Sequence, residues 1–342
     1  MLLILFFLII GAQSAAFGQT NAQKIDQLLK TYQSYGQLNG AVLVVENGKV
    51  IHKKGYGMAN MEWDIPIDPD TKFRIGSVTK QFTAALIMLL VEEGKIKLDG
   101  KLTDYLTDYR KDTGDKVTIH QLLNHTSGIP SYTNASFFAN ESRDRYEVND
   151  FIKKFSSGDL EFEPGSKFRY NNSGYFILGA IIEKVTGKKY AEVLRERIFN
   201  PLGMNDTGYD DHGPILKKRA RGYQKTPEGF ENAPYLDMSL PYAAGSMYST
   251  VEDLYKWDRS LYTTKILSAK SKELMFKPGI SNYGYGFDIR DVPIGKTGKK
   301  TKVISHGGGI NGFNSLFTRA VEQDHLVVIL DNVSLGRYHG AI

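Results

Sequence analysis

The chain has 342 residues, enough for a large hydrophobic core, and its 41% hydrophobic and 24% charged residues are ordinary for a globular protein. Its net charge of +5 is small and spread along the sequence, so nothing indicates a nucleic-acid partner. Cysteine is absent, which excludes disulfides, cysteine nucleophiles and thiolate metal sites.

An uninterrupted apolar run opens the chain, from residue 2 to residue 10, and small residues follow it up to Gly18. The run is too short to span a bilayer, so we predict no stable membrane span. It is typical of a secretory signal peptide over residues 1–18, although no Lys or Arg precedes it. We expect an exported protein, periplasmic or secreted, and an uncleaved N-terminal anchor is the alternative.

Helices and strands are predicted in a clear order along the rest of the chain. Apolar residues at helical spacing predict the helices, and Asn47-Gly48 between two β-rich segments predicts a hairpin. The predicted helices cover residues 21–35, 81–93, 118–124, 146–156, 173–186, 190–198 and 249–262. The predicted strands cover residues 40–46, 49–56, 283–290, 302–306, 312–320 and 326–330.

This order of strands, then helices, then strands predicts an α+β fold with two lobes. We expect one antiparallel β-sheet built from both chain ends, about residues 21–72 and 280–342, and flanked by helices. A large helical lobe, about residues 73–279, is inserted between them, so that residues 19–342 form one domain. Active sites often lie at such a seam.

The most informative stretch is residues 73–80, which leads into the predicted helix 81–93. Ser77 and Lys80 are three residues apart, so the hydroxyl and the ammonium share a helix face. A serine needs a nearby base to become a nucleophile, and a desolvated lysine can lose its proton near neutral pH. Alone, the pair is better explained by an N-cap serine beside a surface lysine, so other segments must decide.

A second segment, residues 170–172, places a tyrosine and an asparagine before an apolar helix. Tyr170 beside a serine and a lysine can carry the proton from nucleophile to leaving group, and the Asn172 amide can hydrogen-bond a substrate. The alternative is a turn with a packed tyrosine and a capping asparagine. A competing Tyr132-Thr133-Asn134 lies in a polar stretch with no apolar helix after it, so we favour the segment 170–172.

A third segment, His306-Gly307-Gly308-Gly309, ends a predicted strand. Glycines there let a substrate backbone approach closely, and the N–H groups of Gly309 and Ser77 can form the donor pair of an oxyanion hole. The alternative is a bulge or a tight turn. A competing Lys296-Thr297-Gly298 lies in a lysine-rich run, which we interpret as a solvated hairpin connection.

The order of these three segments resembles the serine β-lactamase-like superfamily, in particular class C β-lactamases and their relatives among the D,D-peptidases and carboxylesterases. The resemblance runs from about residue 40 to residue 332. Besides the three segments it includes the stretches LLNHTSGI (122–129), NPLGM (200–204), AGSM (244–247) and GF (312–313).

The resemblance implies a β-lactamase/transpeptidase-like fold and a serine hydrolase that needs no metal or cofactor. It implies that Ser77 is the acylated nucleophile, that Lys80 lowers the pKa of Ser77 or takes its proton, and that Tyr170 is the proton shuttle. The family usually has a further helix after its last strand. We therefore expect the chain, which ends at Ile342, to be short there.

The resemblance also assigns the substrate-binding groups. Asn172 orients the substrate, His306 stands where the family's third motif has lysine, and Gly308 keeps the strand edge open. The amides of Ser77 and Gly309 form the oxyanion hole.

Histidine at position 306 removes a permanent cation that would bind a substrate carboxylate at neutral pH. We therefore expect hydrolysis of an ester or amide, with a D-amino-acid peptide or a small ester preferred to a β-lactam. The partner is a small-molecule or peptide substrate, cell-wall peptide among them, and the oligomeric state is open. Two alternatives also stay open: a non-catalytic, penicillin-binding-protein-like sensor of cell-wall fragments, and a true class C-type β-lactamase.

Overall fold

The computed structural model describes residues 19–134, 141–294 and 298–335. The predicted signal peptide, the pair Lys296-Thr297 and the last residues of the chain lie outside the described residues. No helix within the described ranges is long and apolar enough to cross a membrane.

The secondary structure follows the predicted order closely. The described strands are β1 (Gly40–Glu46), β2 (Lys49–Gly55), β3 (Met58–Asn60), β4 (Ile65–Pro66), β5 (Phe73–Arg74), β6 (Gly208–Tyr209), β7 (Tyr223–Thr226), β8 (Gly229–Asn232), β9 (Met247–Ser249), β10 (Asp288–Pro293), β11 (Lys300–Ile310), β12 (Phe313–Ala320), β13 (His325–Asp331) and β14 (Val333–Leu335). The described helices are α1 (Asn21–Ser34), α2 (Thr79–Glu92), α3 (Leu102–Tyr105), α4 (Lys111–Gly114), α5 (Ile119–Leu123), α6 (Val148–Phe155), α7 (Asn172–Thr186), α8 (Tyr190–Leu194), α9 (Asn200–Leu202), α10 (Tyr242–Gly245), α11 (Val251–Leu261) and α12 (Ala269–Met275).

A six-stranded antiparallel sheet joins the two ends of the chain. Its strand order is β10-β11-β12-β13-β1-β2, so the first hairpin lies directly beside the last long strand. The pairing runs from Gly40 opposite Asp331 to Val45 opposite Leu326. Asn47 and Gly48 both have positive φ, the conformation that the predicted two-residue turn requires. The expected α+β sheet from both chain ends is therefore confirmed.

Two buried helices form the centre of the helical lobe. Most residues of α2 and α7 are buried, and the two helices pack against each other and against α10. A helix that is apolar on all sides is stable only inside a core. Helix α7 ends at Gly187, which adopts the left-handed conformation that glycine tolerates. The two helices hold the segments that precede them, residues 76–78 and 170–171, in fixed positions.

Several short elements differ from the prediction. The helical stretch also contains the three-stranded sheet β5-β9-β6, whose strands are too short to show a period of two in the sequence. The strand predicted at 283–290 begins only at Asp288, because Gly286 has a φ of +77° and breaks the extended path. The helix predicted at 190–198 begins as an α-helix at Tyr190–Leu194 and continues as a wider π-helix at Arg195–Phe199.

We predict that Gly40→Ala destabilises the fold where the two chain ends meet. A Cβ at position 40 would lie 2.1 Å from the Leu330 carbonyl oxygen, so β1 and β13 would have to separate. Urea unfolding should show a loss of about 2 kcal/mol or more. Gly213→Ala is the control, because a Cβ there meets nothing closer than 3.7 Å, and it should change the free energy of unfolding by less than about 0.5 kcal/mol. Equal stabilities of the two variants would contradict the tight pairing.

Candidate active site

The turn that carries Ser77 lies between the helical lobe and the sheet. Residues Gly76–Val78 form a 3-10 turn that runs directly into α2. Ile75 anchors this turn on both sides: its N–H donates to the Met247 carbonyl at 2.9 Å, and its carbonyl accepts from the Ser315 hydroxyl at 2.7 Å. Ser77 thus lies just before α2, as its sequence position predicts, and the backbone of its turn is held against β11 and β12.

Lys80 is fully buried beside Ser77. Its Nζ lies 2.9 Å from Ser77 Oγ, 2.8 Å from Asn172 Oδ1 and 2.9 Å from the carbonyl oxygen of Ala244. All three neighbours are neutral. Burial therefore lowers the pKa of Lys80 well below that of an ordinary lysine. An uncharged amine within hydrogen-bond distance of a serine hydroxyl can take the hydroxyl proton.

Tyr170 lies over the same amine. The centre of its ring is 4.9 Å from Lys80 Nζ, and its hydroxyl is buried without a well-formed hydrogen bond to any described residue. Burial raises the pKa of Tyr170, and the nearby Ser77 hydroxyl offsets part of this rise. The phenol is therefore neutral and its proton is not committed to another protein group, so it can donate to a leaving group.

The amides at positions 171 and 172 have different tasks. Asn171 caps α7, since its Oδ1 accepts from the Gly174 N–H at 2.9 Å. Asn172 turns into the site, where its Oδ1 faces Lys80 and its Nδ2 donates to Thr133 Oγ1 at 3.0 Å. The competing segment 132–134 thus borders the site through Thr133, whereas the Tyr132 ring is buried against Phe151 and Phe176.

His306 is buried on β11 and held by both ring nitrogens. Nδ1 lies 2.5 Å from the Gly307 carbonyl oxygen, and Nε2 lies 2.8 Å from the Tyr283 hydroxyl. Because a carbonyl only accepts, we assign the ring proton to Nδ1 and let Nε2 accept from Tyr283. Burial, assisted by the nearby Lys80, lowers the pKa of His306 to about 3. The imidazole is therefore neutral at physiological pH.

The glycines after His306 allow β11 to approach the Ser77 turn. A Cβ at Gly308 would lie 2.1 Å from the Ile75 carbonyl oxygen and 3.0 Å from Ser77 N. A Cβ at Gly76 would lie 3.0 Å from Gly309 N. The backbone amides of Ser77 and Gly309 are therefore close neighbours at the sheet edge, where two N–H groups can stabilise an oxyanion.

The structure brings the seven predicted site residues into one constellation: Ser77, Lys80, Tyr170, Asn172, His306, Gly308 and Gly309. Lys296 and Thr297 lie outside the described residues, in the connection between β10 and β11. Lys300, where β11 begins, is six residues from His306, about 20 Å along an extended strand.

No pattern in the sequence assigns a role to His125 or Tyr283. The His125 ring is buried with its centre 4.4 Å from that of Tyr170 and 4.6 Å from that of Tyr283. Its Nδ1 accepts from the Asn171 N–H at 3.1 Å, which fixes the backbone just after Tyr170. Burial, assisted by Lys80 and His306, lowers the pKa of His125 well below its usual value. The only signal for it was its place in the stretch 122–129.

A Ser-Lys-Tyr constellation around a buried lysine amine, at the edge of an antiparallel sheet, defines a serine hydrolase of the β-lactamase/transpeptidase-like fold. The chain belongs to the Beta-lactamase family, whose model matches residues 22–337.

Three similar proteins place the chain within this family. It is 31% identical to penicillin-binding protein 4* of Bacillus subtilis over 92% of this chain and 72% of that protein. It is 30% identical to a teichoic acid D-alanine hydrolase of Staphylococcus aureus over 91% of this chain and 73% of that protein. The D-amino acid amidase of Ochrobactrum anthropi superposes with a TM-score of 0.79 at 28% identity, over 94% of this chain and 92% of that one.

We predict that His125→Phe lowers catalysis without unfolding the chain. Phenylalanine preserves the aromatic packing but removes the acceptor of the Asn171 N–H, so the Tyr170 segment loses its fixed position. Because small displacements of reacting groups are costly, kcat/KM for p-nitrophenyl acetate should fall about tenfold or more. His52→Phe should retain activity, because this buried histidine lies on β2, at the other edge of the sheet from β10 and β11, and bonds Tyr56 just after that strand. Equal activity of both variants would show that His125 does not position Tyr170.

Proposed function

We propose that the chain is an exported serine hydrolase that forms an acyl-enzyme on Ser77. Its substrate is an ester or amide of a D-amino-acid peptide, or a small ester, in preference to a β-lactam. The observation that carries the proposal is the desolvated Lys80 amine, 2.9 Å from Ser77 Oγ and without a charged partner in the part of the chain that the structure describes. Export is inferred from the apolar leader in residues 1–18.

In the proposed reaction, Ser77 Oγ bonds to the substrate carbonyl carbon as Lys80 Nζ takes the hydroxyl proton. The N–H groups of Ser77 and Gly309 hold the negative oxygen of the tetrahedral intermediate. When the bond to the leaving group breaks, Tyr170 donates its proton to that group and recovers one from Lys80. Water then attacks the carbonyl carbon of the acyl-enzyme, and the proton transfers run in the opposite direction. The acid is released and the Ser77 hydroxyl is restored.

The state of His306 supports the substrate class. A neutral imidazole with both nitrogens engaged has no positive charge to offer a substrate carboxylate, which is the group that a lysine there would bind. Uncharged esters and amides lose nothing by its absence. Two similar proteins act on D-amino acid derivatives by name, the teichoic acid D-alanine hydrolase and the D-amino acid amidase. These findings favour a D-aminoacyl ester or amide.

A sensor function is less well supported. Burying a lysine without a counter-ion costs stability, and a protein that only binds cell-wall fragments gains nothing from that cost. A nucleophile does gain from it, because the amine becomes a base at neutral pH. Loss of p-nitrophenyl acetate turnover in Tyr170→Phe would separate an enzyme from a sensor, since a sensor has no turnover to lose.

We predict that a fluorophosphonate or a fluorescent penicillin labels the wild type and does not label Ser77→Ala. Lys80→Ala should slow labelling about a hundredfold or more, because the general base is lost. Ser131→Ala is the matched control: it removes another hydroxyl that contacts Asn172 and should leave labelling intact. In-gel fluorescence and intact mass measure the adduct. Undiminished labelling of Ser77→Ala would identify a different nucleophile.

We predict that His306→Lys shifts specificity toward substrates with a carboxylate. In the wild type, the ratio of kcat/KM for a D-alanyl ester to that for a D-Ala-D-Ala peptide should not change between pH 5 and pH 8, since His306 becomes charged only near pH 3. Lysine should raise the relative rate on the peptide about tenfold, the effect of one charge-assisted contact. His325→Lys, on the distant strand β13, controls for added charge. A ratio that rises or falls near pH 6.5 would contradict a neutral His306.

A further inference from the structure

A cavity lies outside the catalytic constellation. It has a volume of about 560 Å³ and is bordered by the end of α11, by α12 and the residues after it, and by one end of β11 and β12. Ser77, Lys80, Tyr170 and His306 do not line it. Its size is within the range of pockets that hold small molecules.

A buried arginine forms the floor of this cavity. Arg319 is only 2% exposed, and its Cζ lies 4.3 Å from the centre of the Tyr262 ring. Its Nε is 2.9 Å from Asp258 Oδ1, but the two groups are not aligned as a hydrogen bond, and Asp258 is also bound by Arg259. A guanidinium has five N–H donors in a fork that fits a carboxylate or a phosphate. Among the described residues, no second carboxylate is ion-paired with this fork.

Lysines surround the opening above Arg319. Lys272, Lys277 and Lys302 line the cavity, against a single acidic side chain, Glu273. Within the described ranges none of the three lysines forms an ion pair with a carboxylate. Burial, and to a smaller extent the nearby charge of Arg319, lowers the pKa of Lys272, whose Nζ also donates to the carbonyl oxygens of Leu261 and Thr263.

The remaining walls are apolar. Leu261, Phe276 and Ile304 lie among the lining residues, together with the ring of Tyr262. A site with apolar walls and a few converging charged groups is typical of ligand pockets, where the apolar surface supplies affinity and the charges set orientation. A molecule that matches this lining has both an anionic head and an apolar body.

We propose that this cavity binds a small organic anion, a phosphate or a carboxylate attached to an apolar group. The anionic head contacts the free donors of Arg319 and the rim lysines, and the apolar group lies against Phe276 and Ile304. The proposal does not depend on the reaction at Ser77, because no residue of the constellation takes part.

Phenyl phosphate is the probe, and isothermal titration calorimetry on the full-length Ser77→Ala chain measures its binding without interference from turnover. We expect saturable binding with one site, and little heat from benzyl alcohol, which has the ring without the charge. In the same background, Lys302→Gln should raise Kd about tenfold through loss of one charged contact. Arg319→Lys should weaken binding further if circular dichroism shows that it folds.

Lys300→Gln is the matched control, since Lys300 is exposed on the same strand and does not line the cavity. It removes the same charge and should change Kd by less than about twofold. Absence of saturable binding, equal binding of benzyl alcohol, or equal effects of Lys302→Gln and Lys300→Gln would each overturn the proposal. Labelling of Ser77 in the Lys302→Gln chain should stay normal, which separates this test from that of the catalytic site.

Discussion

The burial of the Lys80 amine is the constraint on which the rest of the site depends. Two of its three neighbours, Asn172 Oδ1 and the Ala244 carbonyl oxygen, accept the two N–H groups of a neutral amine, and the Ser77 hydroxyl can donate to the amine lone pair. Among the described residues no carboxylate offsets the loss of water around the nitrogen, so the uncharged form is favoured. A single nearby Asp or Glu would reverse this result by stabilising the ammonium. The base therefore exists because the fold excludes both water and acids from one small volume.

The other titratable groups around this amine follow the same logic. Burial keeps His125 and His306 neutral, and any residual charge on Lys80 disfavours their protonation further. The phenols of Tyr170 and Tyr283 are also neutral, because burial raises their pKa values. The site therefore offers uncharged donors and acceptors, and it meets negative charge mainly with oriented N–H groups. Such a site suits a reaction whose charge appears only in the transition state, and its neutral His306 has no positive charge to offer a substrate carboxylate.

The sequence predicted the parts of this arrangement that are local. Ser77 and Lys80 are one helical turn apart, and the hairpin at Asn47-Gly48 depends on two adjacent residues, so short patterns suffice for both. His125 and Tyr283 could not be predicted in the same way, because their contacts with Tyr170 and His306 join segments far apart in the chain. The Ala244 acceptor is a backbone carbonyl, which no side-chain pattern can indicate. The choice of His306 as a site residue likewise depends on which part of β11 meets the Ser77 turn.

That meeting shows how the two lobes share the chemistry. Ser77 and Lys80, the proposed nucleophile and base, lie in the turn before α2 and in the first turn of α2, whereas Gly309 and His306 lie on β11 of the sheet that both chain ends build. The bond from Ser315 to the Ile75 carbonyl spans 240 residues and fixes the two parts together. Gly308 makes the contact possible, since any side chain there would displace the Ile75 carbonyl. The proposed nucleophile and base are therefore neighbours in the sequence, whereas Tyr170 and the second proposed oxyanion donor, Gly309, come from distant segments that meet Ser77 only in the folded chain.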